Sequence, residues 1–216
     1  MLATRLGAAM VLGTVFGLAG VAQAAILAVD FNAGGTETGF NAQPDNNRTF
    51  GSYTVTSSTG DFFSRPGLAD GGAFTYADLY RDFNYDNDAN ASIDYTVSGL
   101  DALTSYAVRL YAYDYQNEAS AGTYTVAFAP TAGSGTTGTS GSVTYTSWTA
   151  PANNHEYSTL LTLTTDGDGL MSFTASSVEA LSLRVNGFEI VEVVPEPASL
   201  GLLGAGGLLL LGRRRR

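Results

Sequence analysis

Two segments in the middle of the chain carry side chains whose types and spacing suit binding chemistry. In the first, DNDANASID, oxygen-bearing side chains occupy every second position, namely Asp86, Asp88, Asn90, Ser92 and Asp94. Carboxylate, amide and hydroxyl oxygens are the ligands that Ca²⁺ and other hard cations prefer. The segment therefore predicts a structural calcium site, and a solvated acidic loop leading into a strand is the alternative.

This segment is not an EF-hand loop. The sixth position of such a loop is glycine and the twelfth is a glutamate that binds calcium through both oxygens. The chain has Ala91 and Val97 at those two positions. A calcium ion bound here would therefore need a different geometry, and no other cofactor is predicted.

The second segment, SYAVRLYAYDY, alternates in the way that places every second side chain on one side of a strand. One such side carries a cation and three aromatic rings, which are Arg109, Tyr111, Tyr113 and Tyr115. Aromatic faces stack on the apolar side of sugar rings, and an arginine donates hydrogen bonds to hydroxyl groups. The stripe predicts a glycan-binding platform. The alternative is that these tyrosines only help to form the strand, which tyrosine does well.

Signatures of a catalytic centre are weak. His155 is the sole histidine, so a multi-histidine metal centre is excluded, and a lone histidine in a loop is expected on the surface. No Gly-x-Ser-x-Gly motif is present to place a nucleophilic serine. The acidic residues leave a carboxylate pair for glycoside hydrolysis as an alternative, but no feature of the sequence identifies which two residues would form it. We therefore predict that the chain is not an enzyme.

Charge and cysteine content exclude several other classes of protein. The chain has 20 acidic and 10 basic residues, a formal net charge of −10, and every basic residue is an arginine. An excess of negative charge repels phosphate backbones, so we expect no nucleic-acid partner. Cysteine is absent, which excludes disulfide bonds and thiolate metal sites.

The body of the chain has no convincing helical pattern. Instead, nine short runs alternate apolar and polar residues between clusters of Gly, Asn, Asp and Pro, as half-buried strands do. The runs cover residues 25–31, 50–57, 91–98, 105–115, 123–129, 142–148, 157–164, 170–176 and 181–193. Many short strands of this kind predict an all-β fold, an antiparallel β-sandwich.

The alternation also predicts which faces form the core. One buried face comprises Ile93, Tyr95 and Val97, and another comprises Tyr106, Val108 and Leu110. The sequence Thr-Asp-Gly-Asp-Gly at 165–169 predicts a hairpin turn, because Asp-Gly readily adopts the positive φ of a tight turn.

The N-terminal segment has the three parts of a secretory signal peptide. Arg5 precedes an uncharged apolar run, which ends in Ala22-Gln23-Ala24. Small residues at Ala22 and Ala24 satisfy the rule for signal peptidase, so we predict a signal helix over residues 1–24 with cleavage after Ala24. The alternative is an uncleaved membrane anchor.

The C-terminal segment is also tripartite. Val194-Pro195-Glu196-Pro197 interrupts regular structure, because proline lacks a backbone donor and fixes φ. The apolar run 198–212 would span about 22 Å as a hydrophobic helix, and Arg213, Arg214, Arg215 and Arg216 follow it. A basic cluster beside an apolar run stays on the cytoplasmic side of a membrane, which leaves the main domain outside.

This composite resembles the PEP-CTERM sorting signal of bacterial surface and exopolysaccharide-associated proteins. The resemblance implies that an exosortase, a membrane-embedded enzyme similar to cysteine transpeptidases, recognises the Pro195-Glu196-Pro197 region. The inner membrane would then hold the chain only transiently, through the C-terminal helix. A plain tail anchor or a chance proline-rich linker is the alternative.

The body itself resembles another group of proteins. The segments VSGLDALTSYAVRLYAYD and LSLRVNGFEIVEV are similar to the inner and closing strands of galactose-binding-like and carbohydrate-binding jelly-roll modules. The resemblance implies a sandwich of jelly-roll type. It also implies that such a domain often binds sugars and often holds a structural calcium ion.

These features predict three regions, a signal peptide (1–24), a β-sandwich domain (25–193) and a sorting or anchor segment (194–216). The predicted function is that of an exported, exosortase-processed protein of the cell surface or extracellular matrix, with a structural or polysaccharide-binding sandwich. A secreted polysaccharide-active enzyme is one alternative, and a matrix component that binds proteins without glycan affinity is another.

Overall fold

The structure, a computed structural model, describes residues 25–32, 34–59, 61–88, 90–116, 122–179 and 182–193. The predicted signal helix with Ala22 and Ala24, and the predicted sorting segment 194–216 with its hydrophobic helix, lie outside the described residues. Within those ranges, no helix has the length and apolar character needed to cross a membrane.

Fifteen strands and one short helix follow one another along the described residues. Their bounds, in chain order, are β1 Leu27–Asp30, β2 Asn41–Ala42, β3 Asn47–Phe50, β4 Tyr53–Ser57, β5 Phe62–Ser64, α1 Ala77–Arg81, β6 Asp82–Asp86, β7 Ser92–Ser98, β8 Ser105–Tyr111, β9 Thr123–Pro130, β10 Thr137–Gly138, β11 Gly141–Thr146, β12 Ser158–Thr164, β13 Met171–Ser177, β14 Leu183–Val185 and β15 Gly187–Glu192.

Two six-stranded sheets form the sandwich. Sheet A has the order β10-β12-β8-β15-β1-β2, and sheet B has the order β11-β9-β13-β7-β4-β3. Strand pairs in both sheets are antiparallel except for β1 and β2, which run parallel. The predicted fold class, an all-β antiparallel sandwich of jelly-roll type, is therefore confirmed.

The core lies between the two sheets, where alternate side chains of each strand meet. The two faces predicted from β7 and β8 are both buried. Aromatic rings connect the sheets, since Tyr95 of sheet B stacks on Phe31 at 5.0 Å and on Phe173 at 5.2 Å. Phe173 in turn meets Phe188 of sheet A at 5.6 Å between ring centroids. Such pairs add stabilisation beyond the area that they bury.

The turn at 165–169 is present, but it is not a hairpin. Asp166 Oδ1 accepts hydrogen bonds from the amides of Asp168 and Leu170, each at 2.9 Å. The strands on either side of this turn belong to different sheets, β12 to sheet A and β13 to sheet B. The prediction of a hairpin was wrong, because local turn chemistry is the same whether the chain returns to its own sheet or crosses to the other.

The last predicted run, 181–193, is also not one strand. It breaks at Asn186, so that β14 joins a third sheet while β15 joins sheet A. Asn186 is fully buried, and its Nδ2 donates to the carbonyl oxygens of Tyr80 and Asp82 at 3.3 and 2.8 Å. Its backbone NH donates to Tyr111, and its carbonyl accepts from Phe31. One buried residue thus connects sheet A to the third sheet.

The third sheet, sheet C, was not predicted. It has the order β14-β6-β5 and is built mostly from the segment between β4 and β7. That segment also contains α1, which contradicts the prediction of a body without helix. The helix lies close to sheet A at Gly187 of β15. A Cβ atom on this glycine would come within 2.9 Å of Leu79 Cδ1 in the helix and within 2.2 Å of the Val29 carbonyl oxygen in β1.

We predict that Asn186→Ala destabilises the protein by about 3 kcal/mol, because two buried carbonyl groups lose their donor. The measurement is urea unfolding of the full-length chain. The matched control is Asn46→Ala, which removes an exposed asparagine side chain. Equal unfolding midpoints for the two variants would contradict the role given to Asn186.

Candidate functional site

The predicted aromatic stripe is not an exposed platform. Tyr111 and Tyr113 are fully buried, and the Tyr113 ring stacks on Tyr157 at 4.8 Å. Tyr115 is half-buried beside Trp148, at 5.6 Å between ring centroids. Strand β8 ends at Tyr111, so the alternation that would expose every second residue does not continue beyond it.

Arg109 keeps its predicted position on the outer face of sheet A. In register, it lies opposite Glu189 of β15 and Leu160 of β12. We call the open cavity at this position, of about 350 Å³, the cleft. It is lined by these three residues and by Tyr76 and His155. Ala25, Ala107 and Val191 complete its lining.

Hydrogen bonds fix the polar groups of the cleft. The hydroxyl of Tyr111 donates to Glu189 Oε2, and His155 Nδ1 lies 3.3 Å from the same hydroxyl oxygen. Because the tyrosine proton is directed at Glu189, the histidine nitrogen must be the donor in the second contact. His155 then carries its hydrogen on Nδ1 and keeps Nε2 as an acceptor. Arg109 Nη1 donates to Ser158 Oγ at 3.1 Å.

The environment also sets the protonation of these groups. Burial, with a smaller contribution from Arg109, lowers the pKa of His155 below its usual value of 6.5, so the ring is neutral at neutral pH. Burial and the neighbouring Glu189 raise the pKa of Tyr111, which keeps its hydroxyl protonated. The pKa of Tyr76 is raised in the same way.

Apolar surface lies beside these polar groups. The Tyr76 ring meets His155 edge to face at 6.0 Å between centroids, and 58% of Leu160 is exposed. Among the described residues that line the cleft, Glu189 is the single carboxylate. The arrangement offers an arginine donor, a carboxylate acceptor and ring surface, which suits a ligand with hydroxyl groups on an apolar ring.

Sequence reasoning missed most of this site. His155 is exposed, as expected of a lone loop histidine, but its place at the cleft was not predicted, and Tyr76 lies in a segment where no structure was predicted. Glu189 was detectable in part, because the alternation of GFEIVEV places it on the outer face of the closing strand. Its position opposite Arg109 depends on the pairing of β8 with β15, which the sequence does not show.

The predicted calcium loop does not form a metal cluster. Asp86 Oδ1 accepts the Asp88 amide at 2.9 Å, and Asn90 turns the chain with a φ of 63°. Asp94 lies on the exposed face of β7, where it accepts a hydrogen bond from Thr174. Ser92, two residues earlier in β7, is exposed on the same face. Among the described residues, no group of three Asp, Glu, His or Cys side chains is placed to bind a metal ion.

A different pair of acids fits the calcium ion that the jelly-roll resemblance implies. Asp30 and Asp82 are fully buried, and Asp30 Oδ1 and both carboxylate oxygens of Asp82 lack hydrogen-bond partners. The Ser64 hydroxyl and the Gly34 amide approach Asp82 without reaching hydrogen-bond geometry. Buried oxygens of this kind are costly unless a proton or a cation satisfies them.

The electrostatics of this acid pair agree with that requirement. Burial, together with repulsion from Asp82, Glu37 and Asp78, raises the pKa of Asp30 to about 8. Burial also raises the pKa of Asp82, although nearby Arg81 opposes the shift. We propose that Asp30 and Asp82, rather than the loop from Asp86 to Asp94, would hold a calcium ion. Such an ion would neutralise both carboxylates and stabilise the contact between α1 and sheet A.

We predict that raising the pH from 5 to 8 in the presence of chelator lowers the melting temperature of the full-length chain. Asp30 has a folded pKa of about 8 and a reference value of 3.8, so across this window the folded state holds a proton that the unfolded state releases. Stability falls as the pH rises, and we expect a loss of about 5 °C or more. Calcium at pH 8 should restore it.

Asp30→Asn should remove most of the loss at high pH and the response to calcium, since an amide does not titrate and the pKa of Asp82 is then the one raised pKa left in the pair. Asp61→Asn, at an exposed acid, is the matched control and should behave like the unaltered chain. A pH slope in Asp30→Asn equal to that of the control would show that the buried carboxylate is not the titrating group.

Comparisons with known proteins gave matches to solved structures and to a sorting motif. The CBM35 from Cellvibrio japonicus Abf62 is 14% identical, covering 66% of this chain and 95% of its own with a TM-score of 0.34. The P-domain of Penaeus vannamei nodavirus is 20% identical, covering 51% of this chain and 96% of its own with a TM-score of 0.34. No curated protein matches the chain. Residues 193–216 match the PEP-CTERM protein-sorting motif, so the chain carries this motif, as the C-terminal resemblance predicted.

Proposed function

We propose that the chain is a non-catalytic carbohydrate-binding protein, which an exosortase processes and which acts at the cell surface or in the extracellular matrix. The observation that carries the binding role is the cleft on sheet A. There, Arg109, Glu189 and His155 present both hydrogen-bond donors and acceptors next to the Tyr76 ring. This combination recognises sugars, whose rings have apolar faces and hydroxyl edges.

The sorting motif supports export and processing. A PEP-CTERM motif indicates an exported protein that a membrane segment holds before processing. Exosortase is therefore the proposed processing partner, acting in the region of Pro195-Glu196-Pro197. The excess of acidic residues supports a partner other than nucleic acid, and extracellular polysaccharide is the proposed ligand.

The cleft extends along sheet A, from Val191 near the start of the sorting motif to Tyr76 and His155 beside Tyr111. Strand β15 begins opposite Tyr111 and ends near Ser105, whose carbonyl accepts the amide of Val193 at 3.2 Å. The sorting motif thus starts at one end of sheet A. Tyr111, which supports Glu189 and His155 of the cleft, lies at the other end, about 20 Å away for a strand of this length.

A binding role rather than hydrolysis is proposed because of the carboxylate content of the cleft. Glycosidases of the usual type need two carboxyl groups on either side of the scissile bond. Glu189 is the single carboxylate among the described residues of the cleft, and its Oε2 already accepts the Tyr111 hydroxyl. The cleft residues can hold a sugar but supply no second carboxylate for acid and base catalysis.

We predict that Arg109→Gln weakens binding of neutral polysaccharide by about tenfold, because hydrogen bonds from a charged donor are worth about 1.5–3 kcal/mol. The measurement is affinity electrophoresis of the full-length chain in gels that contain each candidate polysaccharide. Arg48→Gln is the matched control, since Arg48 is an exposed arginine away from the cleft, paired with Asp45.

The same samples distinguish binding from hydrolysis. A binding protein migrates more slowly in the gel that contains its polysaccharide, and it leaves the number of reducing ends unchanged. An increase in reducing ends that Glu189→Gln abolishes would replace the binding proposal with an enzymatic one. Retardation that Arg109→Gln and Arg48→Gln affect equally would exclude the cleft as the binding site.

We also predict that the protein recovered from its native host ends near Pro195-Glu196-Pro197, with or without an attached group. Intact mass and C-terminal peptide analysis provide the measurement. The apolar run and the arginines should be absent from the mature mass because they would remain in the membrane after processing. A mass that still contains residues 198–216 would make the tail an anchor and would overturn exosortase processing.

A further inference from the structure

A second cavity lies on one face of sheet C and shares no lining residue with the cleft. Its volume is about 130 Å³, and its lining comprises Phe63, Arg65, Phe83, Tyr85, Asn87 and Arg184. Phe63 is opposite Phe83 in register, and Tyr85 is opposite Arg184. Because side chains two residues apart share a face, the small sheet presents these rings and arginines together. We call this cavity the arginine pocket.

The arginine pocket has an excess of positive charge. Asp114, which is fully buried, accepts Arg65 Nε and Nη2, each at 3.2 Å, and Arg184 Nε at 3.3 Å. Two guanidinium groups thus share one carboxylate. Among the described residues, the six that line the pocket include no acidic side chain. An anion that enters would meet a net positive field in a domain whose overall charge is negative.

The guanidinium groups are also held in place before any ligand arrives. The Arg184 side chain is 7% exposed, and its guanidinium lies over the rings of Phe83 at 5.3 Å and Tyr85 at 5.1 Å. The Arg65 guanidinium lies over Phe63 at 4.9 Å. Cation–π contacts and the shared carboxylate restrict both side chains, which lowers the entropy lost on binding.

We propose that the arginine pocket binds the carboxylate group of an acidic sugar. Arg184 already donates from Nε to Asp114, from Nη1 to the Leu183 carbonyl and from Nη2 to Asn87 Oδ1, so it contributes mainly charge. Arg65 uses Nε and one hydrogen of Nη2 for Asp114, which leaves an N–H pair on Nη1 and Nη2 whose spacing matches the two oxygens of a carboxylate. Phe63, which is 44% exposed, and Tyr85 provide ring surface beside the arginines, which suits the apolar face of a pyranose. This site does not depend on the cleft, and it gives the domain a second contact with a polysaccharide.

The test is calorimetric titration of the full-length chain with a tetrasaccharide of glucuronate and with its carboxyl-reduced counterpart, which differs only at C6. The acidic tetrasaccharide should bind at least tenfold more tightly than the neutral one, and its affinity should fall as salt is added. Arg65→Met should weaken binding of the acidic tetrasaccharide at least tenfold. Arg48→Gln, which removes an exposed arginine that lines neither cavity, should leave that binding unchanged.

Phe63→Ala provides a second variant that leaves the contacts with Asp114 intact. It should weaken binding of the acidic tetrasaccharide through loss of ring contact, whether or not Arg65→Met folds normally. Acetate and sulfate distinguish the saccharide from a free anion. Weak competition by both supports recognition of the sugar acid, whereas full displacement by either at equal concentration would overturn it.

Three other results would also overturn the proposal. These are equal affinity for the acidic and neutral tetrasaccharides, unchanged binding in Phe63→Ala, and loss of acidic binding in Arg109→Gln alone. The last result would assign the acidic sugar to the cleft, so it would support the proposed carbohydrate binding while excluding the arginine pocket. If the cleft experiments showed no binding, the titration of Phe63→Ala would still test the arginine pocket, because Phe63 does not line the cleft.

Discussion

The buried side chain of Asn186 is the constraint on which the arrangement of the three sheets depends. An amide with no access to solvent must find partners inside the protein, and Nδ2 finds them in the carbonyls of Tyr80 and Asp82, on either side of the end of α1. The backbone of Asn186 meanwhile bonds to Phe31 and Tyr111 of sheet A. The residue therefore fixes the orientation of sheet C, and with it the arginine pocket, relative to the sandwich.

The same junction explains why acidic groups are buried there. Asp82 follows α1 directly and Asp30 ends β1, so holding the helix against sheet A encloses both carboxylates. Their raised pKa values show that the enclosed charge is unfavourable unless it is neutralised. A proton can do so at low pH and a hard cation at high pH, and either would stabilise the folded state by removing that repulsion. The stability of the fold is thereby coupled to the protonation of two carboxylates at one place.

The sequence predicted the regular part of the fold well and the irregular part poorly. Each of the nine alternating runs contains a strand, because alternation reports directly which side of a sheet is buried. Alternation does not report which strands are neighbours, so the change of sheet after Thr164 and the break at Asn186 were missed. Sheet C was missed because β5 is three residues long and because β6 has rings on one face and the buried polar residues Asp82 and Asn84 on the other. Arg109 was identified in the sequence, whereas Glu189 joins it through strand pairing and His155 through the loop that precedes β12.

Four arginines of the described domain contact acidic side chains, and they do so in two different ways. Arg48 and Arg81 pair with acids three residues away, which is typical of local surface pairs that contribute little energy. Arg65 and Arg184 instead come from distant parts of the chain and share the buried Asp114. Holding two weakly hydrated cations beside one carboxylate is unfavourable in a dry interior, so the pair is tolerated at the wall of a cavity, where water or an anion can balance the excess. In a domain with an excess of acidic residues, such a pocket offers a locally positive surface to the negatively charged ligand that we propose for it.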